Sequence, residues 1–153
     1  MDVSYTCLQY PDVRLHTRDG SKLRGFFAKK YSCEELMHNH GENGHIYRYP
    51  LVQYKVIDGI PTLIGLGQGS NLILDIGISE EEINIEGARF CLERAEITTE
   101  STFFGTTDKI HEYFFKTPWL ALNQENITKY NAADEIEKDN LLTELMPKSF
   151  KML

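Results

Sequence analysis

Residues Val52 to Ile57 and Ile60 to Gly65 are two short runs rich in β-branched and aromatic side chains, and only Asp58-Gly59 stands between them. Asp-Gly supplies the two positive-φ residues of a type I′ turn, whose twist suits adjacent antiparallel strands, so this stretch commits the chain to an antiparallel hairpin. Pro50 and Pro61 lack ladder donors and belong at an edge, an end or a bulge. The other elements are read around this hairpin. Val3, Tyr5 and Cys7 alternate with polar neighbours up to Gln9, which predicts a first strand. Leu23, Phe26, Phe27 and Tyr31 follow a helical spacing that predicts a helix N-capped by Ser21 and running to about Leu36. Gly and Asn residues between 38 and 44 break it, and a long strand is predicted from His45 to Ile57.

Gly65, Gly67 and Gly69 miss both nucleotide-loop signatures and predict a tight strand-to-helix turn, followed by a short helix capped by Ser70 or Asn71 and carrying Leu72, Ile73 and Ile76. A second hairpin is expected over 83–92, a strand over 110–117, a polar loop over 120–132, and a helix over 133–146 that Pro147 ends. The order strand, helix, strand, strand, helix, strand is the split βαβ or ferredoxin-like pattern of an α+β protein. The expected fold is therefore an RRM-like antiparallel sheet with two helices, plus a C-terminal helix. Many unrelated functions share it.

Composition narrows the function classes. Of the net charge of −7, none comes from residues 1–78, where eight basic side chains balance eight acidic ones; the deficit lies wholly in residues 79–153. An indiscriminate nucleic-acid coat is excluded, and any anionic ligand belongs in the neutral half, which holds Lys22, Arg24, Lys29, Lys30, Arg48, Lys55 and four of the five histidines. Between Arg14 and Tyr31 six cations face only Asp19, with Phe26, Phe27 and Tyr31 interleaved; the cations suit an RNA backbone, while the spacing of the aromatics fits a helix core. Three scattered cysteines suggest neither a disulfide framework nor a cysteine zinc site. No apolar run approaches the ~18 residues of a membrane span and the start lacks a signal pattern, which points to a soluble, cytoplasmic protein with no membrane partner.

The densest chemistry is His38-x-His40-x4-His45-x-Tyr47-x-Tyr49. Imidazole transfers protons near neutral pH, and a phenol can orient or donate to a phosphate oxygen. RNA carries its own nucleophile in the 2′-hydroxyl, so a base, a donor for the 5′-oxygen and a cation for the phosphorane suffice, with no metal or other cofactor. His40 or His38 fits base or acid, Tyr47 fits a positioning role, and Lys29, Lys30 or Arg48 fits charge stabilisation. Two other readings of the same residues stay open: exposed histidines on a Gly/Asn-rich connection with Tyr47 and Tyr49 packing on one strand face, and a zinc site on His38, His40 and His45.

The run from His38 to Gly59, His-Asn-His-Gly-Glu-Asn-Gly-His-Ile-Tyr-Arg-Tyr-Pro-Leu-Val-Gln-Tyr-Lys-Val-Ile-Asp-Gly, followed by Pro61 to Gly67, resembles the amino-terminal half of the CRISPR-associated repeat-RNA endoribonucleases, the Cas six family and its b-type branch in particular. Thr117 to Asn126 is similar to the segment that joins that half to the rest of the enzyme, and the resemblance covers about residues 20 to 130. It implies tandem ferredoxin-like domains that bind a CRISPR repeat and cut it without metal, leaving a 2′,3′-cyclic phosphate. Residue by residue, the His-x-His pair falls on His38 and His40 and the tyrosine that opens the long strand on Tyr47. It further implies that 1–120 is the RNA-processing domain and 121–153 a linker and C-terminal helix, the start of a second domain that is missing here.

Two function classes follow, with an unrelated small-molecule enzyme as an outsider. One is a metal-independent endoribonuclease acting on CRISPR repeat RNA in precursor crRNA; the other is a truncated relative that binds RNA or a partner and does not cut. The terminal apolar residues Ile136, Leu142, Leu145, Met146, Phe150, Met152 and Leu153 mark the C-terminal helix as the face for a homodimer or for a second-domain partner.

Overall fold

The structure, a computed structural model, describes residues 1–37, 40–41, 44–45, 50–105, 108–112, 114, 116 and 124–150, with positions 40, 41, 44, 45, 124, 125 and 147–150 described as backbone. Two compact units divide it, Met1–Thr117 and Pro118–Leu153.

The first unit is built on strands β1 (Asp2–Gln9), β4 (Val52–Ile57), β5 (Ile60–Leu66) and β8 (Glu96–Phe103), which form one sheet in the order β4-β5-β1-β8. Every neighbouring pair is antiparallel. Helix α1 (Gly20–Lys30) joins β1 to β4, and helix α2 (Gln68–Ser79) leads from β5 towards β8. Counting only these elements, the fourth strand lies beside the first, then the third, then the second, which is the ferredoxin-like arrangement. Two small two-stranded ladders are added: β2 (His40–Gly41) with β3 (Gly44–His45), and β6 (Glu82–Ile85) with β7 (Ala88–Cys91).

The hairpin expected at Asp58-Gly59 is present, with φ of 52° and 81° at its two turn residues and Ile57 opposite Ile60. Pro61 sits one residue from the end of β5, where its carbonyl accepts from the Tyr10 backbone N–H. Glu86-Gly87 makes the second hairpin in the same left-handed conformation.

Leu8, Leu23, Phe27, Leu63, Ile73, Ile76 and Ile83 are fully or almost fully withdrawn from water between the helices and one sheet face, each stabilising the fold by roughly 1.5–3 kcal/mol. On β1 the core side is the polar-looking one. Thr6 and Leu8 are buried, and the Thr6 hydroxyl meets Ser70 Oγ at 2.6 Å and Thr99 Oγ1 at 2.9 Å, whereas Val3, Tyr5 and Cys7 lie half-buried on the opposite face.

The β5–α2 connection depends on missing side chains. A Cβ on Gly65 would collide with the backbone of Gly69, and one on Gly69 would lie 2.5 Å from the Leu51 carbonyl oxygen, which also accepts from Leu66 N–H at 2.8 Å.

Several expectations are corrected. Helix α1 stops at Lys30, where Tyr31 closes it through an N–H bond to Phe27 O; residues 35–37 form a separate 3₁₀ turn that delivers buried Met37 to the core. Ser21 lies inside its first turn, and Asp19 holds the N-cap position. The long strand from His45 to Ile57 is interrupted at Pro50 and Leu51, and positions 46–49 lie outside the described residues. Helix α2 is twelve residues long and starts from Gly67 at φ 54°, so neither Ser70 nor Asn71 caps it; Ser70 turns inward to Thr6 instead.

The fourth sheet strand is Glu96–Phe103, while the described residues between 108 and 116 form no strand. In the second unit, α3 (Gln124–Ala132) occupies most of the expected loop, and α4 (Glu135–Phe150) continues through Pro147. A proline inside a helix loses one i→i−4 donor and crowds the carbonyl four residues earlier, a local cost that does not end this helix. No helix among the described residues is long and apolar enough to cross a membrane.

Candidate functional site

Chain connectivity roots the histidine and tyrosine segment in the first unit. It leaves the core at Met37, which is 2% exposed, and re-enters at Pro50, two residues before buried Val52. Of the expected catalytic residues, His40 is described as backbone, paired with His45 across the β2–β3 ladder. His38 and Tyr47 lie outside the described residues, as does Arg48. The zinc alternative rests on His38, His40 and His45, whose side chains are likewise outside them.

Both ends of that segment border one cavity of about 410 Å³. Its walls are Gly20, Ser21 and Arg24 of α1, Leu36 and Met37 before the segment, and Pro50 with Val52–Lys55 after it. Tyr54 fixes the geometry of the wall. Its ring stacks on Phe27 (6.2 Å, 25°), which stacks in turn on Tyr31 (6.3 Å, 21°), and its hydroxyl lies 3.4 Å from both the carbonyl and the sulfur of Met37. Burial pushes the Tyr54 phenol up to about 12, so it stays a neutral donor at physiological pH. Sequence reasoning missed Tyr54, although its period-two spacing with Val52 and Val56 signals an inward-facing residue.

The expected RNA-binding cations are placed in three ways. Lys22 bridges Asp19 at 3.0 Å and Glu86 at 2.8 Å, which raises its affinity for the proton. Lys30 is bound to Glu80, a carboxylate whose side chain is 1% exposed and which also accepts from Tyr31 Oη at 3.1 Å. That bond raises the Lys30 ammonium pKa. Arg24 and Lys55 line the cavity that Met37 and Pro50 border, and Lys29 lies in a separate groove with Phe26 and Glu82.

A family model described as the Cas6b N-terminal domain matches residues 1–103. Among solved structures, the chain is similar to one described as a crystal structure of Cas6b, at 44% identity and a TM-score of 0.87 over 95% of this chain and 67% of that one. It is also similar to a crystal structure of the CRISPR RNA processing endoribonuclease Cas6b, at 38% identity and a TM-score of 0.70 over 97% of this chain and 65% of that one. The uncharacterized protein MJ0978 of Methanocaldococcus jannaschii is 28% identical over 72 residues, 47% of this chain and 49% of that protein. The chain thus spans about two thirds of the crystallised relatives, and its match covers about half of the curated one.

Proposed function

The chain belongs to the Cas6b family, through the N-terminal domain that makes up its first 103 residues, and from that premise we propose that it cleaves CRISPR repeat RNA in precursor crRNA without a metal ion. The observation that carries this reading is that Met37 and Pro50, the described residues flanking the His38–Tyr49 segment, line the same cavity as Arg24 and Lys55. A proton-transfer segment and a phosphate-attracting wall then serve the same stretch of RNA.

In this mechanism one imidazole of the pair His38 and His40 takes the proton from a 2′-hydroxyl. The oxygen attacks the adjacent phosphorus, and the other imidazole protonates the departing 5′-oxygen. The phosphorus keeps its 2′ and 3′ oxygens, so the product is a 2′,3′-cyclic phosphate and a free 5′-hydroxyl. Tyr47 orients the attacking or phosphoryl oxygen, and Arg48 stabilises the negative charge that builds on the phosphorane.

Incubation of the chain with repeat RNA in EDTA tests the proposal. Cleavage is expected to persist and to stop when a single 2′-deoxy nucleotide replaces the residue 5′ of the cut. Loss of cleavage on chelation, restored by added metal, would refute the metal-free route. A second reading is an RNA-binding module that does not cut alone, with half-buried apolar residues of α4 as its docking side. In that case the half-buried side of α4 carrying Leu142 and Leu145 docks a second copy or a further domain. Light scattering of wild type against Leu142→Asp, Leu145→Asp reads self-association directly.

A further inference from the structure

Arg24 and Lys55, the two cations that line the cavity, share a property that Lys22 and Lys30 on α1 lack. Lys22 and Lys30 are held by carboxylates, whereas neither Arg24 nor Lys55 has an ion pair among the described residues. The described lining of their cavity contains no carboxylate. We infer that this cavity is a subsite for one nucleotide of the RNA, with a phosphodiester group held between the Arg24 guanidinium and the Lys55 side chain.

The inference rests on the reading of the chain as an RNA-processing protein and names where one phosphate sits. Size agrees, since about 410 Å³ falls within the range of small-ligand sites. Chemistry agrees as well. A guanidinium with no ion pair among the described residues offers two parallel donors to a phosphate, an ammonium adds a point charge, and two like charges lining one void are best satisfied by a shared anion. Around them Ser21 supplies a polar group for a sugar or base edge, and Leu36 and Pro50 supply apolar surface for a base face. The chain leaves this wall at Met37 and returns to it at Pro50, so the subsite adjoins both described anchors of the catalytic segment.

Direct binding measurements test this without relying on cleavage. Fluorescence anisotropy with labelled repeat RNA in EDTA, at salt concentrations from about 50 to 200 mM, gives both affinity and its salt slope. Arg24→Ala and Lys55→Ala are each expected to weaken binding about tenfold, the usual order for a hydrogen bond to a charged group. Each should also flatten the log–log salt slope by about 0.7, the single-strand value for one lost phosphate contact. Arg24→Lys, which keeps the charge and loses the planar fork, should fall between. Arg89→Ala, the same change of charge on the exposed surface of β7, is expected to weaken binding no more than about twofold.

Unchanged thermal midpoints establish that the variants fold, and Arg24→Gln provides a second exposed substitution. In a methylphosphonate walk along the RNA, one linkage should matter to wild type and not to the Arg24→Ala, Lys55→Ala variant. If both variants bind like Arg89→Ala, the subsite is wrong even where the RNA is still cut. Wild type that shows the Arg24 and Lys55 dependence but leaves the RNA whole keeps the subsite and removes the cleavage reading. Wild type that binds no RNA overturns both.

Discussion

Helix α1 puts its cations to two different uses on its two flanks. Towards α2 and the β6–β7 hairpin, Lys22 and Lys30 meet Asp19, Glu86 and Glu80. Towards β4, Arg24 lines a cavity shared with Lys55 and bordered by Met37 and Pro50, which flank the histidine segment. Both flanks look alike in sequence, as basic residues among aromatics. The difference teaches that charge density does not rank cations for ligand binding: what ranks them is whether a carboxylate already stands opposite. Substitutions on the first flank should therefore be read mainly as stability, and those on the second mainly as affinity or rate.

The sharpest test of that division is on the β4 side. His40→Ala is expected to slow cleavage by about 10²- to 10⁴-fold with little change in RNA affinity or thermal midpoint, as general acid or base catalysis requires. Tyr47→Phe should cost less, because it removes one hydroxyl. Single-turnover cleavage beside anisotropy separates rate from binding, and wild-type rates for both His38→Ala and His40→Ala would remove this segment from the chemistry.

On the other flank, Lys30→Ala leaves the Glu80 carboxylate buried with Tyr31 as its remaining donor. The ammonium is nearly half exposed, which discounts its Coulombic share, so the expected loss is about 1–2 kcal/mol of stability by urea unfolding. A loss of RNA affinity larger than that of Arg24→Ala, with stability intact, would break the comparison.

A smaller change runs the opposite way. Nothing lies within 4 Å of a Cβ built on Gly25, in the exposed middle of α1. Gly25→Ala should therefore stabilise the chain by about 0.5–1 kcal/mol, read as a raised thermal midpoint.

Smallest of all is an acid-limb effect. The Lys22 ammonium, followed by the His16 backbone N–H, holds the Asp19 carboxyl below its ordinary range. A carboxyl depressed on folding stabilises the protein above its unfolded pKa of about 4, and that contribution disappears as pH falls through the folded value. Asp19→Asn should flatten the fall in stability below that pH and leave RNA binding at neutral pH unchanged, which thermal scans over pH 2 to 7 would show.

How much was legible in the sequence follows from how local each determinant is. The β4–β5 hairpin was readable because Asp58-Gly59 encodes its own turn. Strand β8 was not: Glu96–Phe103 is an edge strand exposed along most of its length, with only Ile97 packed against the core, so no apolar alternation marks it. Helix α1 was overrun because Leu36 and Met37 suggest further turns after Tyr31, although a separate 3₁₀ turn places them. At the site, the composition of the histidine segment and the basic stretch was visible. Which cations are engaged was not, since Glu80 stands 50 residues from Lys30 and Glu86 64 from Lys22.

The glycine crossing between β5 and α2 has a consequence for how mutational scans of this chain will look. Gly65 and Gly69 touch no RNA in any reading given above, yet a side chain at either must displace backbone, and the backbone against Gly69 is Leu51, next to the point where the histidine segment returns. In a cleavage-based survey these two positions will score as severely as catalytic residues, and a map coloured by fitness alone will draw the active site several residues too wide. Pairing each activity score with a measurement of protein abundance separates the two populations. Gly65 and Gly69 variants fall on both axes, whereas His38 and His40 variants fall on one.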